Sequence, residues 1–111
     1  MTATPTLADG LHLIVKRDCP TCVLIEPVIA QLAATSQPLT VYTQDDPSFP
    51  ESVDAVDDGN LSISWHHQIE TVPTLLRFEA GSETDRIVGW ERSQWETFTD
   101  QQDLAPEIAG Y

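Results

Sequence analysis

The only two cysteines of this 111-residue chain stand three apart, in Lys16-Arg17-Asp18-Cys19-Pro20-Thr21-Cys22. Thiols at this spacing can exchange with a disulfide, hold a metal or sit inert in a core, and the flanking residues favour exchange. An apolar run over residues 11–15 leads into the motif. After it, Ile25, Val28, Ile29 and Leu32 fall at i, i+3, i+4 and i+7, the period of a helix. The pattern predicts a strand, a tight turn and a helix that begins at the sulfurs. Pro20 suits the first helical turn, where its missing N–H costs nothing and its fixed φ is already helical. Unpaired amide N–H groups and the positive end of the helix dipole favour thiolate over thiol there. Lys16 and Arg17 push the same way, and Asp18 opposes them. Cys19 then reads as the exposed attacking sulfur and Cys22, one turn in, as the resolving thiol.

Plainer readings compete with this one. A structural disulfide closing so short a loop would remove little unfolded-state entropy. A structural metal site needs about four ligands, and the remaining soft candidates are His12, His66 and His67. His66 and His67 are adjacent, so on a helix they point about 100° apart and at most one would help. Two unrelated buried cysteines stay open.

A second stretch, Thr71-Val72-Pro73-Thr74-Leu75-Leu76-Arg77-Phe78, resembles the thioredoxin family's turn into a buried strand, where a cis-proline precedes the strand. Gly89, followed by Trp90, is similar to the glycine that closes that family's substrate groove, and Pro27 falls where many thioredoxins carry a helix-kinking proline. The resemblance spans residues 11–100. It implies that Val72 and Pro73, with Gly89, position an extended disulfide-bearing segment beside Cys19 by backbone pairing. It also implies that the proline ring crowds a metal out of the site. Trp90 stands at the groove mouth, either touching substrate or covering the start of the next helix.

The departures from the family are equally specific. Thioredoxins usually carry a buried aspartate six residues before the first cysteine and a lysine on the next strand; those positions read as Leu13 and Thr43. Cys22 then needs another proton acceptor. Glu26, four residues on and on the same helical face, is a candidate, against the plainer reading of a solvated glutamate. Asp18 replaces the aromatic that commonly precedes the first cysteine. A selective or weak exchange activity is the expectation.

The elements that must position these residues follow from pattern and punctuation. Residues 11–15 form a strand buried on both faces, with His12 as a packed or edge side chain. A helix runs over 20–35, bent by Pro27 and barred from continuing by Pro38. Residues 39–43 form a second strand, parallel to the first because a helix joins them. Residues 45–60 are rich in Asp, Pro and Ser and carry Asp45, Asp46, Glu51, Asp54, Asp57 and Asp58. This densest acidic run reads as a solvated loop or as a charge that selects partners. Asn60 is the expected N-cap of a short helix in which Leu61, Trp65 and Ile69 share a face, with Trp65 read as core, against the alternative of a substrate platform. Strands over 74–78 and 86–89 form a hairpin through Gly81. Ser93 and Glu96 fit a capping box ahead of a helix that buries Trp95 and Phe98.

The predicted fold class is therefore a thioredoxin-like α/β domain, a four-stranded mixed sheet flanked by about three helices. It lacks the extra N-terminal strand and helix, for which the ten residues before the first strand are too few. Residues 1–10 form an N-terminal extension, 11–100 the domain, and 101–111 a tail or linker. A net charge of −13 with five Lys or Arg argues against nucleic acid and anionic membrane surfaces as partners. Residues 1–10 have no basic start or apolar run, so no signal peptide is read and a cytoplasmic place is expected. Function points to a thiol-disulfide oxidoreductase acting on protein or small-molecule disulfides. Electrons would come from a reductase or a low-molecular-weight thiol, with no organic cofactor and no metal. A redox-sensing or protein-binding module without turnover, and a metal or iron-sulfur binder through the two cysteines, remain the alternatives.

Overall fold

The computed structural model of the chain describes residues 7–110. Of the N-terminal extension, residues 1–6 lie outside the described residues, as does Tyr111 at the other end. The elements run β1 (Gly10–Val15), α1 (Pro20–Leu24), α2 (Glu26–Ala33), β2 (Leu39–Thr43), β3 (Val56–Asp57), α3 (Ser62–His66), β4 (Thr74–Glu79), β5 (Ser82–Val88) and α4 (Arg92–Thr99). They form one sheet of order β3-β2-β1-β4-β5. The β1–β2 and β2–β3 pairs are parallel, and β1–β4 and β4–β5 are antiparallel.

Side-chain alternation along β1 divides the core between the two faces of the sheet. Leu11, Leu13 and Val15 pack with Ile25, Val28, Ile29 and Leu32 of the first helical region and with Trp95 of α4. Ile14 points the other way, into a cluster with Tyr42, Leu76 and Phe78 that Ile63 and Ile69 cover. Strand β1 is thus central and buried on both sides, as its continuous apolar run predicts.

Several features differ from the sequence reading, among them the last strand, expected over 86–89, which starts at Ser82. The sheet has a fifth strand, β3, inside the stretch read as an acidic loop. At two residues it carries no periodicity, and it exists through pairing with Tyr42 and Thr43. The first helix is two helices, because Pro27 offers no N–H to the carbonyl one turn back and its ring crowds that carbonyl. The chain breaks at Ile25, with φ −88° and ψ 8°, and its N–H bonds to both Thr21 and Val23 carbonyls. The start of α3 is capped by Asp58 in addition to Asn60: Asn60 Oδ1 accepts from the Ser62 amide at 3.0 Å, while the buried Asp58 carboxylate accepts from the Ile63 amide at 2.8 Å, the Ser64 amide at 2.9 Å and the Ser64 hydroxyl at 2.6 Å. The cap of α4 lies two residues upstream of Ser93. Glu91 accepts from the Gln94 amide at 2.8 Å and from the Ser93 hydroxyl, while Glu96 accepts from the Leu104 amide at 3.1 Å.

Trp65 is likewise not in the core. Leu61 sits before α3 in the left-handed region, at φ 61°, and Ile69 lies beyond the helix end, so the expected stripe never forms. Trp65 is left 76 % exposed. The β4–β5 turn is a two-residue loop of Ala80 and Gly81, both at positive φ (53° and 80°), which matches the right-handed strand twist. After α4, Leu104 and Ala105 are buried against the main cluster. The Arg92 guanidinium donates to the carbonyls of Leu104 at 2.8 Å, Ala105 at 2.7 Å and Ile108 at 2.5 Å, so this segment is docked.

His12 on β1 is 2 % exposed. Its Nε2 lies 2.6 Å from the Ala8 carbonyl and its Nδ1 2.8 Å from the Tyr42 hydroxyl. The Ala8 carbonyl can only accept, so Nε2 carries a proton, and in the neutral ring Nδ1 accepts from the Tyr42 hydroxyl. Burial lowers its pKa from the ordinary 6.5, against the Ala8 bond, which raises it. A depressed folded-state pKa contributes stability in full above the ordinary value and loses it as pH falls through the folded one. An NMR titration is therefore expected to give His12 a midpoint below 6.5, with the melting temperature dropping between neutral pH and pH about 5. A His12 midpoint above the ordinary value would contradict the assignment.

Candidate active site

Cys19 is the N-cap of α1, in extended conformation with φ −155° and ψ 106°. Its Sγ accepts a hydrogen bond from the Cys22 amide at 3.1 Å and lies 3.8 Å from the Val72 carbonyl, to which the thiol can donate. It is half-buried and open to solvent, whereas Cys22 is fully buried, and both are free thiols. Because the break at Ile25 leaves α1 only five residues long, the local N–H contact, not a long helix dipole, is the main polar stabiliser of the Cys19 sulfur.

The Val72–Pro73 peptide is cis, and Pro73 is buried at the start of β4. The register pairs Ile14 with Thr74, so the chain entering β4 runs beside the chain leaving β1 for the cysteine loop. The Gly89 amide donates to the Pro73 carbonyl at 2.8 Å. Gly89 has φ +81°, and the place where a Cβ would stand is open space, so the glycine serves the backbone turn and leaves the surface beside Pro73 clear. Cys19, Cys22, Val72, Pro73 and Gly89, far apart in sequence, thus meet at one end of the central strands.

Of the two readings of Trp90 the structure favours the covering one, and Glu26 stands on a different helix from Cys22. Trp90 is 6 % exposed. Its indole donates to the Ala109 carbonyl at 2.7 Å and its ring meets Trp95 edge-on at 5.3 Å, so it covers the start of α4 instead of presenting a face to substrate. Glu26 opens α2 on the far side of the Ile25 break. The single helical face that placed it under Cys22 is interrupted, and the carboxylate whose charge reaches the Cys22 thiol is Asp45.

Burial is the main reason the Cys22 thiol is pushed well above its ordinary pKa, followed by its hydrogen bond with Cys19; the nearby charge of Asp45 adds to this, and a backbone bond to Lys16 opposes it. Leu13, at the position of the family's aspartate, is part of the apolar wall around Cys22. Thr43, at the lysine position, is buried, and its hydroxyl donates to the Asp46 carbonyl at 3.0 Å.

Asp45 is the residue that sequence reasoning missed as an individual, counting it only in an acidic run. Its carboxylate accepts from the amides of Arg17 at 2.8 Å, Asp18 at 2.9 Å and Asp46 at 2.7 Å. Burial is the largest single influence and raises its pKa, but these amides and the Thr43 hydroxyl together outweigh it and hold the carboxyl below the ordinary value. Arg17 in turn reaches Asp46 at 2.5 Å and lies over the Phe49 ring at 5.2 Å. The two residues before Cys19 are thereby tied to the end of β2. Among the described residues, no group of three or more His, Cys, Asp or Glu is arranged to hold a metal ion.

Replacing Asp45 with alanine is expected to speed amide exchange at Arg17 and Asp18 by about tenfold or more. It should also lower stability in urea by about 1–3 kcal/mol. Unchanged exchange at those two amides would contradict its role as the brace of the loop.

No family model and no curated protein matches this chain. Solved structures do. A thioredoxin of Malassezia sympodialis superposes with a TM-score of 0.57 at 22% identity, covering 83% of this chain and 76% of that one. Thioredoxin O2 of Arabidopsis thaliana, in its oxidized state, gives 0.58 at 25% identity over 83% of this chain and 72% of its own. Thioredoxin f2 of Chlamydomonas reinhardtii gives 0.54 at 16%, over 86% and 82%. Among the described residues no helix is long and apolar enough to cross a membrane. With a mixed sheet crossed by helices on both faces, a close cysteine pair at the first helix and these structural neighbours, the chain is a thioredoxin-like α/β domain.

Proposed function

We propose that this domain is a thiol-disulfide oxidoreductase in which Cys19 is the nucleophile and Cys22 the resolving thiol. The observation that carries the reading is the unequal setting of the two sulfurs. Cys19 Sγ is accessible, accepts an amide hydrogen bond at 3.1 Å and lies 3.8 Å from the Val72 carbonyl, while Cys22 is sealed beneath it. Val72, Pro73 and Gly89 form the surface against which a substrate segment is held.

In the first step the Cys19 thiolate attacks one sulfur of a substrate disulfide. A bond forms from Cys19 Sγ to that sulfur, and the substrate's S–S bond breaks to release the other sulfur as a thiolate. The Cys22 proton neutralises this leaving thiolate, directly or through solvent. The Cys22 thiolate then attacks Cys19 Sγ, forming the Cys19–Cys22 disulfide and releasing the second substrate thiolate. Two electrons have passed to the substrate. A dithiol reductase or two low-molecular-weight thiols return them. The depth of Cys22 makes its deprotonation the demanding step, in keeping with selective or slow exchange.

That same depth favours one second reading, a redox reporter whose dithiol closes once and reopens slowly. Repeated turnover under excess reductant separates the two.

Cys19→Ser is expected to abolish reduction of a disulfide probe, and Cys22→Ser to accumulate the mixed disulfide on Cys19, seen by mass spectrometry as protein plus one half of the probe. Turnover surviving in Cys19→Ser, or no trapped adduct in Cys22→Ser, would overturn the assignment of roles.

A further inference from the structure

Trp65 stands apart from the other exposed large apolar side chains. At 76 % exposure it leaves a large aromatic surface in water, while the next, Val88, is a small side chain at 53 %. Scattered exposed valines are ordinary, but an exposed tryptophan is the informative case. The His66 ring meets its indole edge-on at 5.0 Å, which limits the ring's freedom. With Ser64, Gln68, Ile69 and Glu70, Trp65 lines an open groove of about 590 Å³.

The groove and the dithiol site are built on one core cluster. Ile69 and Val72 pack on the same cluster of Ile14, Tyr42 and Leu76, and the Val72 carbonyl lies 3.8 Å from Cys19 Sγ. From the other side, Gln44 donates to the Ser64 hydroxyl at 2.8 Å, and its neighbour Asp45 holds the amides of Arg17 and Asp18. The wall of the groove and the cysteine loop therefore hang from the same end of β2.

Its chemistry suits a cation. An indole and a carboxylate lining one groove attract a guanidinium or ammonium group, by cation–π contact and by charge. Among the described residues Glu70 has no hydrogen bond or ion pair that would spend its charge. Glu51, Asp54 and Asp57, on the segment leading into α3, are exposed, and the chain carries −13 overall. Arg86 reaches the same turn, but its guanidinium is committed to Glu83 at 2.6 and 2.7 Å and to the His67 and Gln68 carbonyls.

We propose that this groove docks a Lys or Arg side chain of the disulfide-bearing polypeptide, which makes the domain selective for substrates with a cationic flank. The inference rests on the dithiol reading above and adds the class of substrate to it.

The test uses three disulfide peptides of equal length whose cysteine is flanked by Arg, Gln or Glu. At low ionic strength the full chain is expected to reduce the Arg-flanked peptide with kcat/KM about tenfold above the Glu-flanked one. Trp65→Ala and Glu70→Gln are each expected to bring that ratio to within about threefold. A ratio near one in the unaltered chain would overturn the proposal. So would a ratio that survives both substitutions, since it would belong to the overall charge and not to this groove. Calorimetry with a cysteine-free Arg peptide separates the two readings: binding that needs Trp65, without turnover of any disulfide, supports the docking site and removes the exchange activity. Equal turnover of all three peptides does the reverse.

Discussion

Antiparallel pairing of β1 with β4 is the constraint on which the site depends. It sets Ile14 against Thr74, so the loop leaving β1 and the turn entering β4 emerge side by side at one end of the central strands. Two distant segments, one holding Cys19 and the other Val72 and Pro73, are thereby brought within 3.8 Å. A slip of one residue would reverse the faces of Leu11, Leu13 and Val15 against Ile14, exchanging the contents of two separate clusters. Because both faces of β1 are buried, the register that aligns the site is fixed by the same apolar contacts that form the core.

Within that frame the two sulfurs are made unequal by position alone. Cys19 caps a helix and meets an amide N–H and a carbonyl, both polar, at the border with solvent. Cys22, one turn on, lies in an apolar wall that includes Leu13, and burial holds its proton. Asp45 links the two environments. It anchors the backbone ahead of Cys19 and adds negative charge near Cys22. The loop is thus held by a side chain from β2's end, not only by its own turn.

The parts of this arrangement that were legible in the sequence are those written in local pattern. The continuous apolar run of β1, the period of Val28, Ile29 and Leu32, the hairpin turn at Gly81, and the Cys19–Cys22 spacing each depend on residues close in the chain. Contacts made over distance were not legible. Strand β3 exists only because Thr43 and Tyr42 offer it an edge. Asp58 caps α3 from four residues ahead of the helix, and Glu91 captures Ser93 where Ser93 itself had the stronger local signal. Trp65 kept its spacing from Leu61 and Ile69 but lost the helix that would have aligned them. Glu26 and Cys22 fall on separate helices, through a break at Ile25 whose cause, Pro27, was visible while its depth was not.

The central claim is that Cys19 is the open sulfur and Cys22 the sealed one. Site-resolved alkylation of the reduced, folded chain with iodoacetamide, read by mass spectrometry, tests it most directly. Modification of Cys19 is expected to outrun that of Cys22 by about a hundredfold or more, and the difference should vanish in denaturant. Equal rates in the folded chain, or Cys22 reacting first, would contradict the account.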